Sequence, residues 1–295
     1  MEIICFLKGS RGEVCLTEML RSGHDVVAVV TSGVDEKLQA ICSEHNLPLH
    51  NADKPNTPQF AETLKSINAD LFILIGFNKI LKPIIFEIPP LGTINLHGGR
   101  LPQYRGAAPI NWQIINGERV GGCCILFVDK GIDTAPIIQQ ELYEISEEDT
   151  HQSVLEKTLQ IFPRLLLSVL GDFERSSAQA TPQDLNEGSY FARRHPEDSK
   201  INWNAMDDLQ VHNLVRGMQG PYPHAFTYRA GEKVEIEYTS LLDQEITGIS
   251  GRVVAKRNNG VIVVCQNRGL LVTEARVNDK LVKPNDVFKL GDMLG

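Results

Sequence analysis

The sequence of 295 residues is acidic and otherwise ordinary in composition, with 29 Lys and Arg against 37 Asp and Glu, a net charge of −8 and 42% hydrophobic residues. At roughly 100–200 residues per domain, this length predicts two domains, each able to bury a core without disulfides or a structural metal. The amino terminus lacks a basic leader, and no stretch approaches the ~20 apolar residues of a membrane span. We therefore expect a cytoplasmic protein without a membrane partner.

The cysteines are scattered through apolar segments and form neither a C-x-x-C pair nor a cluster at zinc-ligand spacing. This pattern predicts reduced thiols that mainly fill the core, and no metal site. The six positions are Cys5, Cys15, Cys42, Cys123, Cys124 and Cys265.

The first half of the chain alternates short apolar strands with helical patterns. Because the strands show little apolar–polar alternation, we expect them to be covered on both faces in a mostly parallel sheet. The fold class predicted is therefore α/β, Rossmann-like, with helices on both faces. Strands are expected at 2–7, 25–31, near 48, and at 70–76, 93–96, 123–128 and 136–143, and helices at about 13–22, 36–45, 59–67 and 150–170.

The second half has a different sequence pattern, which predicts one helix at about 206–218 and then short strands separated by Gly, Asn and Asp. This predicts a small β-rich domain, a partial barrel. Residues 171–188 are poor in apolar side chains and are interpreted as the linker, so the predicted domains are 1–188 and 189–295. Residues 1–189 carry 15 basic and 24 acidic side chains and residues 190–295 carry 14 and 13. Neither half is expected to bind nucleic acid.

Two glycine-bearing loops carry residues that fit acid–base chemistry. Asn95 and His97 alternate along one strand and so share a face at its carboxyl end, where ligands bind in open α/β sheets. Asp133 lies in the second loop and can orient and charge-stabilise an imidazole. Taken singly, a buried structural histidine and a solvated turn aspartate are the simpler interpretations, and sequence spacing does not establish that Asp133 reaches His97.

The loop at residues 7–12 follows the first strand and opens the first helix, where backbone N–H groups favour an anion. It lacks the G-x-G-x-x-G pattern of dinucleotide enzymes. Lys8, Ser10 and Arg11 make a phosphate or sugar site as reasonable there as a plain tight turn.

Taken together, two motifs closely resemble the family of formyltransferases that use N10-formyltetrahydrofolate. The family includes methionyl-tRNA formyltransferase, glycinamide ribonucleotide transformylase and the enzymes that formylate nucleotide-linked aminosugars. Residues 191–203 and 220–228 resemble the start of the family's carboxy-terminal domain, so the resemblance covers nearly the whole chain. The two motifs are Asn95-Leu96-His97-Gly98-Gly99-Arg100-Leu101-Pro102-Gln103-Tyr104-Arg105-Gly106-Ala107-Ala108-Pro109 and Gly131-Ile132-Asp133-Thr134.

The resemblance implies a catalytic trio of Asn95, His97 and Asp133 and N10-formyltetrahydrofolate as the formyl donor, without a metal. In that chemistry Asn95 donates to the oxyanion, His97 polarises the formyl group or accepts the amine proton, and Asp133 stabilises the imidazolium. The resemblance also implies a pterin pocket, and we assign acceptor contacts to Lys8, Ser10, Arg11 and Arg105. The pterin pocket is expected from Phe77, Asn78, Lys79, Ile80, Leu81, Val128, Gly131 and Ile132.

Three features favour a nucleotide-diphosphate aminosugar, a precursor of surface polysaccharide, as the acceptor. The segment at residues 31–37 lacks the longer basic insertion of methionyl-tRNA formyltransferases, the chain is acidic, and His97-Gly98-Gly99 resembles the sugar enzymes more than the tRNA enzymes. Methionyl-tRNA formyltransferase is the alternative, followed by a formyltetrahydrofolate hydrolase. A non-catalytic sensor on the same fold is a further alternative. By resemblance, we expect a homodimer.

Overall fold

A computed structural model describes residues 1–220 and 222–295 of the chain. Its contacts divide the chain into two compact units, one formed by Met1–Pro109, Gly121–Tyr143 and Glu156–Phe191, and the other by Ile110–Val120, Glu144–Leu155 and Ala192–Gly295. Pro221, part of the motif at residues 220–228, lies outside the described residues. The predicted domain boundary at residue 188 stays a prediction.

The first unit is built on a seven-stranded, mostly parallel sheet, as predicted. Its strand order is β3-β2-β1-β4-β5-β7-β8. The pairs β1–β2, β2–β3, β1–β4 and β4–β5 are parallel, and β5 and β7 are antiparallel. The strands are β1 (Glu2–Leu7), β2 (Asp25–Thr31), β3 (Leu49–Asn51), β4 (Leu71–Ile75), β5 (Thr93–His97), β6 (Tyr104–Gly106, outside this sheet), β7 (Val120–Phe127) and β8 (Ile137–Glu144).

Helices cover both faces of this sheet, which explains why its central strands are apolar throughout. Alternate residues of β1 enter separate cores: Ile3 and Cys5 pack with Leu16 on one face, and Phe6 packs with Leu64 on the other. The helices are α1 (Gly9–Arg21), α2 (Glu36–Glu44), α3 (Pro58–Ile67), α4 (Pro83–Phe86), α5 (Pro109–Ile115, mostly in the second unit) and α6 (His151–Glu174, divided between the units).

The segment predicted as a linker is tied into the first unit instead. Thr181 and Ile137 exchange backbone hydrogen bonds at 2.8 and 2.9 Å. Strand β9 (Ser189–Phe191) then pairs in parallel with β6. Backbone pairing needs no apolar side chains, so composition did not reveal this attachment.

The second unit contains an antiparallel sheet, as expected for a β-rich domain. Strands follow the order β10-β11-β14-β13-β12, with β15 beside β14. Val211 and Leu214 of its helix pack into the same core as Val263 and Val272. The elements are α7 (Asp208–Gly217), β10 (Ala225–Arg229), β11 (Glu232–Ser240), β12 (Val253–Arg257), β13 (Gly260–Val264), β14 (Gly269–Val277), β15 (Lys280–Val282) and α8 (Pro284–Val287). Among the described helices, none is both long and apolar enough to cross a membrane.

All six thiols are expected to resist labelling in the folded protein. Each cysteine is free and buried, and burial raises the pKa of every thiol, for Cys15, Cys124 and Cys265 to about 12. The thiolate is the reactive form, and here it is both scarce and shielded. A disulfide reagent in mildly alkaline buffer should therefore react only after denaturant is added, and rapid labelling of the native protein would contradict this burial.

Candidate active site

Strand β5 brings the first two residues of the predicted trio to one edge of the sheet. Asn95 and His97 occupy alternate positions on the strand, and β5 lies between β4 and β7 in the middle of the sheet. His97 ends the strand with 5% of its surface exposed. The packed sheet therefore fixes both side chains in position.

Asp133 lies beside both of them. Its Oδ2 is 3.5 Å from His97 Nδ1, and its Oδ1 is 3.4 Å from Asn95 Nδ2. The Gly106 N–H donates to Oδ2 at 2.9 Å. The 36 residues that separate His97 from Asp133 in sequence are thus bridged in space, while the catalytic roles of the three stay predictions.

The His97 ring lies between two oxygen atoms. Besides Asp133 at Nδ1, the carbonyl oxygen of Tyr104 lies 2.6 Å from Nε2. A neutral imidazole can donate to only one of these oxygens, whereas an imidazolium can donate to both. The cluster therefore combines an imidazole, an amide donor and a carboxylate, which are the kinds of group that polarise a carbonyl and transfer protons.

A second set of contacts holds the loop after β5. Cys124 Sγ lies 3.0 Å from the Gly99 carbonyl and 2.7 Å from Gln140 Oε1, which also accepts the Leu101 N–H at 2.9 Å. A Cβ atom at Gly99 would lie 2.8 Å from His97 Nε2. Glycine is therefore required there for the loop to pass close to the ring.

The residues predicted for the pterin pocket lie in two loops. Phe77 packs edge-on to Phe6 with the ring centres 5.4 Å apart, Leu81 is in the core, and Asn78 Oδ1 accepts from Ser32 Oγ at 2.5 Å. The side chains of Ile80 and Ile132 are 69% and 40% exposed. Such exposed apolar groups suit contact with an aromatic ligand.

An open surface depression of about 650 Å³ includes Val128 and Gly131 from the predicted pterin set. Its other lining residues include Phe86 of α4 and Phe127 at the end of β7. The depression also borders Thr93, at the opposite end of β5 from His97. Folate binding by these residues stays a prediction.

Two cations predicted to bind the acceptor are engaged by the protein backbone. Lys8 Nζ donates to the Val34 carbonyl at 2.9 Å. Arg105 is buried and donates to the carbonyls of Pro102 and Glu187. The first N–H of α1, on Gly9, donates to Asp35 Oδ2 at 3.1 Å, so a carboxylate already lies where an anion was expected. Ser10 and Arg11 are half-buried in the first turns of α1, and all four acceptor assignments stay predictions.

Four residues that support the trio or the loop beside it were not predicted from the sequence: Gly106, Cys124, Gln140 and Gln183. Gly106 lies inside the motif at residues 95–109, but its residue type does not predict that its backbone N–H donates to Asp133. The Gln183 amide donates to the carbonyls of Asp133 and Ala135 at 3.0 and 2.7 Å. No local sequence pattern predicts this contact, because Gln183 and Asp133 are 50 residues apart.

Gly106→Ala is expected to destabilise the first unit by about 2–4 kcal/mol. Gly106 has φ +99°, and an added Cβ would overlap the Phe191 carbonyl on β9. Gly23→Ala is the matched control, because Gly23 has φ +78° but nothing within 4 Å of an added Cβ. Denaturant titrations should show a clearly larger loss for Gly106→Ala, and equal losses would mean that the overlap is relieved without cost.

Comparisons with known proteins identify the family of this chain. Residues 2–170 match the model of the formyl transferase family, and residues 194–289 match the model of the formyl transferase C-terminal domain. The chain is 33% identical over 291 residues to a methionyl-tRNA formyltransferase of Acetivibrio thermocellus, which covers 95% of this chain and 93% of that protein. A methionyl-tRNA formyltransferase of Thermodesulfovibrio yellowstonii is 34% identical over 266 residues, 87% of this chain and 84% of that protein.

Solved structures show the same fold. The N-formyltransferase of Helicobacter canadensis, in complex with folinic acid and dTDP-3-aminofucose, aligns with a TM-score of 0.68 at 21% identity over 92% of this chain and 98% of that one. HypX of Aquifex aeolicus, in complex with tetrahydrofolic acid, aligns with a TM-score of 0.67 at 18% identity, and this chain spans 46% of its length. Because both family models match in order and together span most of the sequence, the chain belongs to the formyl transferase family.

Proposed function

We propose that this chain transfers the formyl group of N10-formyltetrahydrofolate to a primary amine. The single observation that carries the proposal is the cluster of Asn95, His97 and Asp133 at the end of β5, inside the matched formyl transferase region. An amide donor, an imidazole and a carboxylate are the groups that this reaction needs. Asn95 and His97 also lie on an interior strand of the sheet, which favours a reactive geometry.

The proposed reaction begins when the lone pair of the amine attacks the formyl carbon. A C–N bond forms, and the carbonyl electrons move onto oxygen, where the Asn95 amide can donate; such a donor is typically worth about 3–4 kcal/mol. The amine nitrogen then loses a proton to the His97 imidazole. The bond from carbon to N10 breaks, the carbonyl reforms, and N10 takes up a proton as tetrahydrofolate leaves. Asp133 holds His97 and balances its charge throughout.

The curated relatives support methionyl-tRNA as the acceptor. Two methionyl-tRNA formyltransferases are 33% and 34% identical to this chain and align over 95% and 87% of it. The hypothesis predicts binding that weakens steeply with salt, since tRNA is held through its phosphates.

Two observations support a nucleotide-linked aminosugar as a second candidate. The connection between β2 and α2 contains only residues 32–35, which leaves no room for a basic insertion. Residues 1–189, which include the proposed trio, carry 24 acidic and 15 basic side chains, a balance that disfavours polyanion binding. Cytoplasmic location and homodimer formation stay predictions.

A direct competition among acceptors tests the proposal. The protein is supplied with N10-formyltetrahydrofolate together with methionyl-tRNA, or with 3-amino or 4-amino sugars linked to UDP or dTDP. Formylation of the tRNA supports the first candidate, and formylation of one aminosugar supports the second. Release of formate without any formyl-amine would overturn formyl transfer and favour the hydrolase alternative.

A further inference from the structure

We infer that Gln183 is a positioning residue that holds the Asp133 carboxylate against His97. The inference rests on the proposed formyl transfer, because it assigns the glutamine a part in that reaction. Its basis is the carboxamide of Gln183, which bridges the carbonyls of Asp133 and Ala135 with donor–acceptor distances of 3.0 and 2.7 Å.

The backbone of Asp133 needs such a support. Its φ is +54°, in the left-handed region that side-chain-bearing residues adopt only at a cost. In this conformation the carboxylate faces Asn95, His97 and the Gly106 N–H. Relaxation of the loop toward ordinary φ values would turn the carboxylate away from the ring.

The orientation of the Gln183 amide is fixed by its surroundings. Both neighbouring groups are carbonyl oxygens, so the NH2 group must face them. The other end of the amide, Oε1, is buried without a hydrogen-bond partner among the described residues. An unpartnered buried oxygen lowers the free energy of unfolding. The useful part of Gln183 is therefore its NH2 group, while its oxygen costs stability.

The segment that carries Gln183 is anchored on both sides of it. Thr181 pairs with Ile137, and Ser189–Phe191 pairs with β6. The Phe191 ring stacks on Tyr104 at 4.9 Å between ring centres. Strand β6 also contains Gly106, whose N–H donates to the Asp133 carboxylate. One segment therefore supports both the backbone of Asp133 and the strand that supplies its N–H donor.

Gln183→Met is the informative variant, since it keeps the length of the side chain while removing both the NH2 group and the unpartnered oxygen. We expect kcat to fall roughly 10- to 100-fold, the effect of a slightly misplaced catalytic group, with KM for the formyl donor unchanged. The melting temperature should fall by only a few degrees, because the loss of two hydrogen bonds to the Asp133 and Ala135 carbonyls is partly offset by removal of the unpartnered oxygen. Gln59→Ala, at an exposed position on α3, is the control and should leave both quantities unchanged.

Combination with Asp133→Asn tests whether Gln183 acts through the carboxylate. The double variant should have the same kcat as Asp133→Asn alone. Once the carboxylate has been replaced, misplacing the side chain at position 133 should cause no further loss of kcat. Full activity of Gln183→Met, or a loss of kcat that only follows a loss of stability, would overturn the inference. If wild type forms no formyl-amine, or Asp133→Asn is fully active, the proposed function fails instead.

Discussion

His97→Ala is expected to lower kcat for formyl transfer by roughly 10²- to 10⁴-fold, the usual contribution of a positioned acid–base group. The variant removes the ring that lies between Asp133 and the Tyr104 carbonyl and leaves no other imidazole in the described contacts of the carboxylate. Steady-state kinetics with the formyl donor, together with a thermal melt, measure the effect.

His45→Ala is the matched control for this result. His45 is exposed at the end of α2 and takes no part in the cluster. The control should keep wild-type turnover and the wild-type melt. Near-wild-type turnover of His97→Ala itself would remove His97 from the mechanism.

Asp133→Asn is expected to lower kcat about 10³- to 10⁴-fold, as replacement of a carboxylate that orients a catalytic histidine does elsewhere. The Asp133 oxygens face donors: the Gly106 N–H at 2.9 Å and the Asn95 amide at 3.4 Å. An asparagine amide would turn an NH2 group toward one of these donors and would carry no charge to balance an imidazolium. The loss should therefore appear in kcat at saturating formyl donor.

Asp53→Asn makes the same change of charge at an exposed site and serves as the control. It should behave as wild type. Circular dichroism of Asp133→Asn should match wild type, so that the kinetic loss is not attributed to unfolding. Equal kcat values for Asp133→Asn and Asp53→Asn would contradict the assigned role.

The sheet and part of the proposed catalytic cluster were predictable from the sequence. Uniformly apolar strands indicated burial on both faces, and alternation along one strand placed Asn95 and His97 on the same face. Asp133 was a candidate from its glycine-bearing loop, but only the resemblance implied that it acts with His97, because no local pattern predicts that a loop 36 residues later folds back to the ring. The structure supplies that distance, 3.5 Å from carboxylate to imidazole.

The supporting contacts were not predictable, for a physical reason. The left-handed backbone of Asp133, the pairing of β6 with β9 and the bridge from Gln183 all depend on backbone groups that are the same in every residue. Residue type also did not reveal that Lys8 and Arg105, both assigned to acceptor contacts, donate to carbonyls of their own chain.

The most direct test of the central claim is a mass-spectrometric assay with N10-formyltetrahydrofolate labelled with ¹³C in the formyl group. Wild type is predicted to move the label onto the amine of one acceptor, whereas His97→Ala and Asp133→Asn, with unchanged melts, leave it on the folate. Label recovered only as formate, or transfer by both variants at the wild-type rate, would contradict the account.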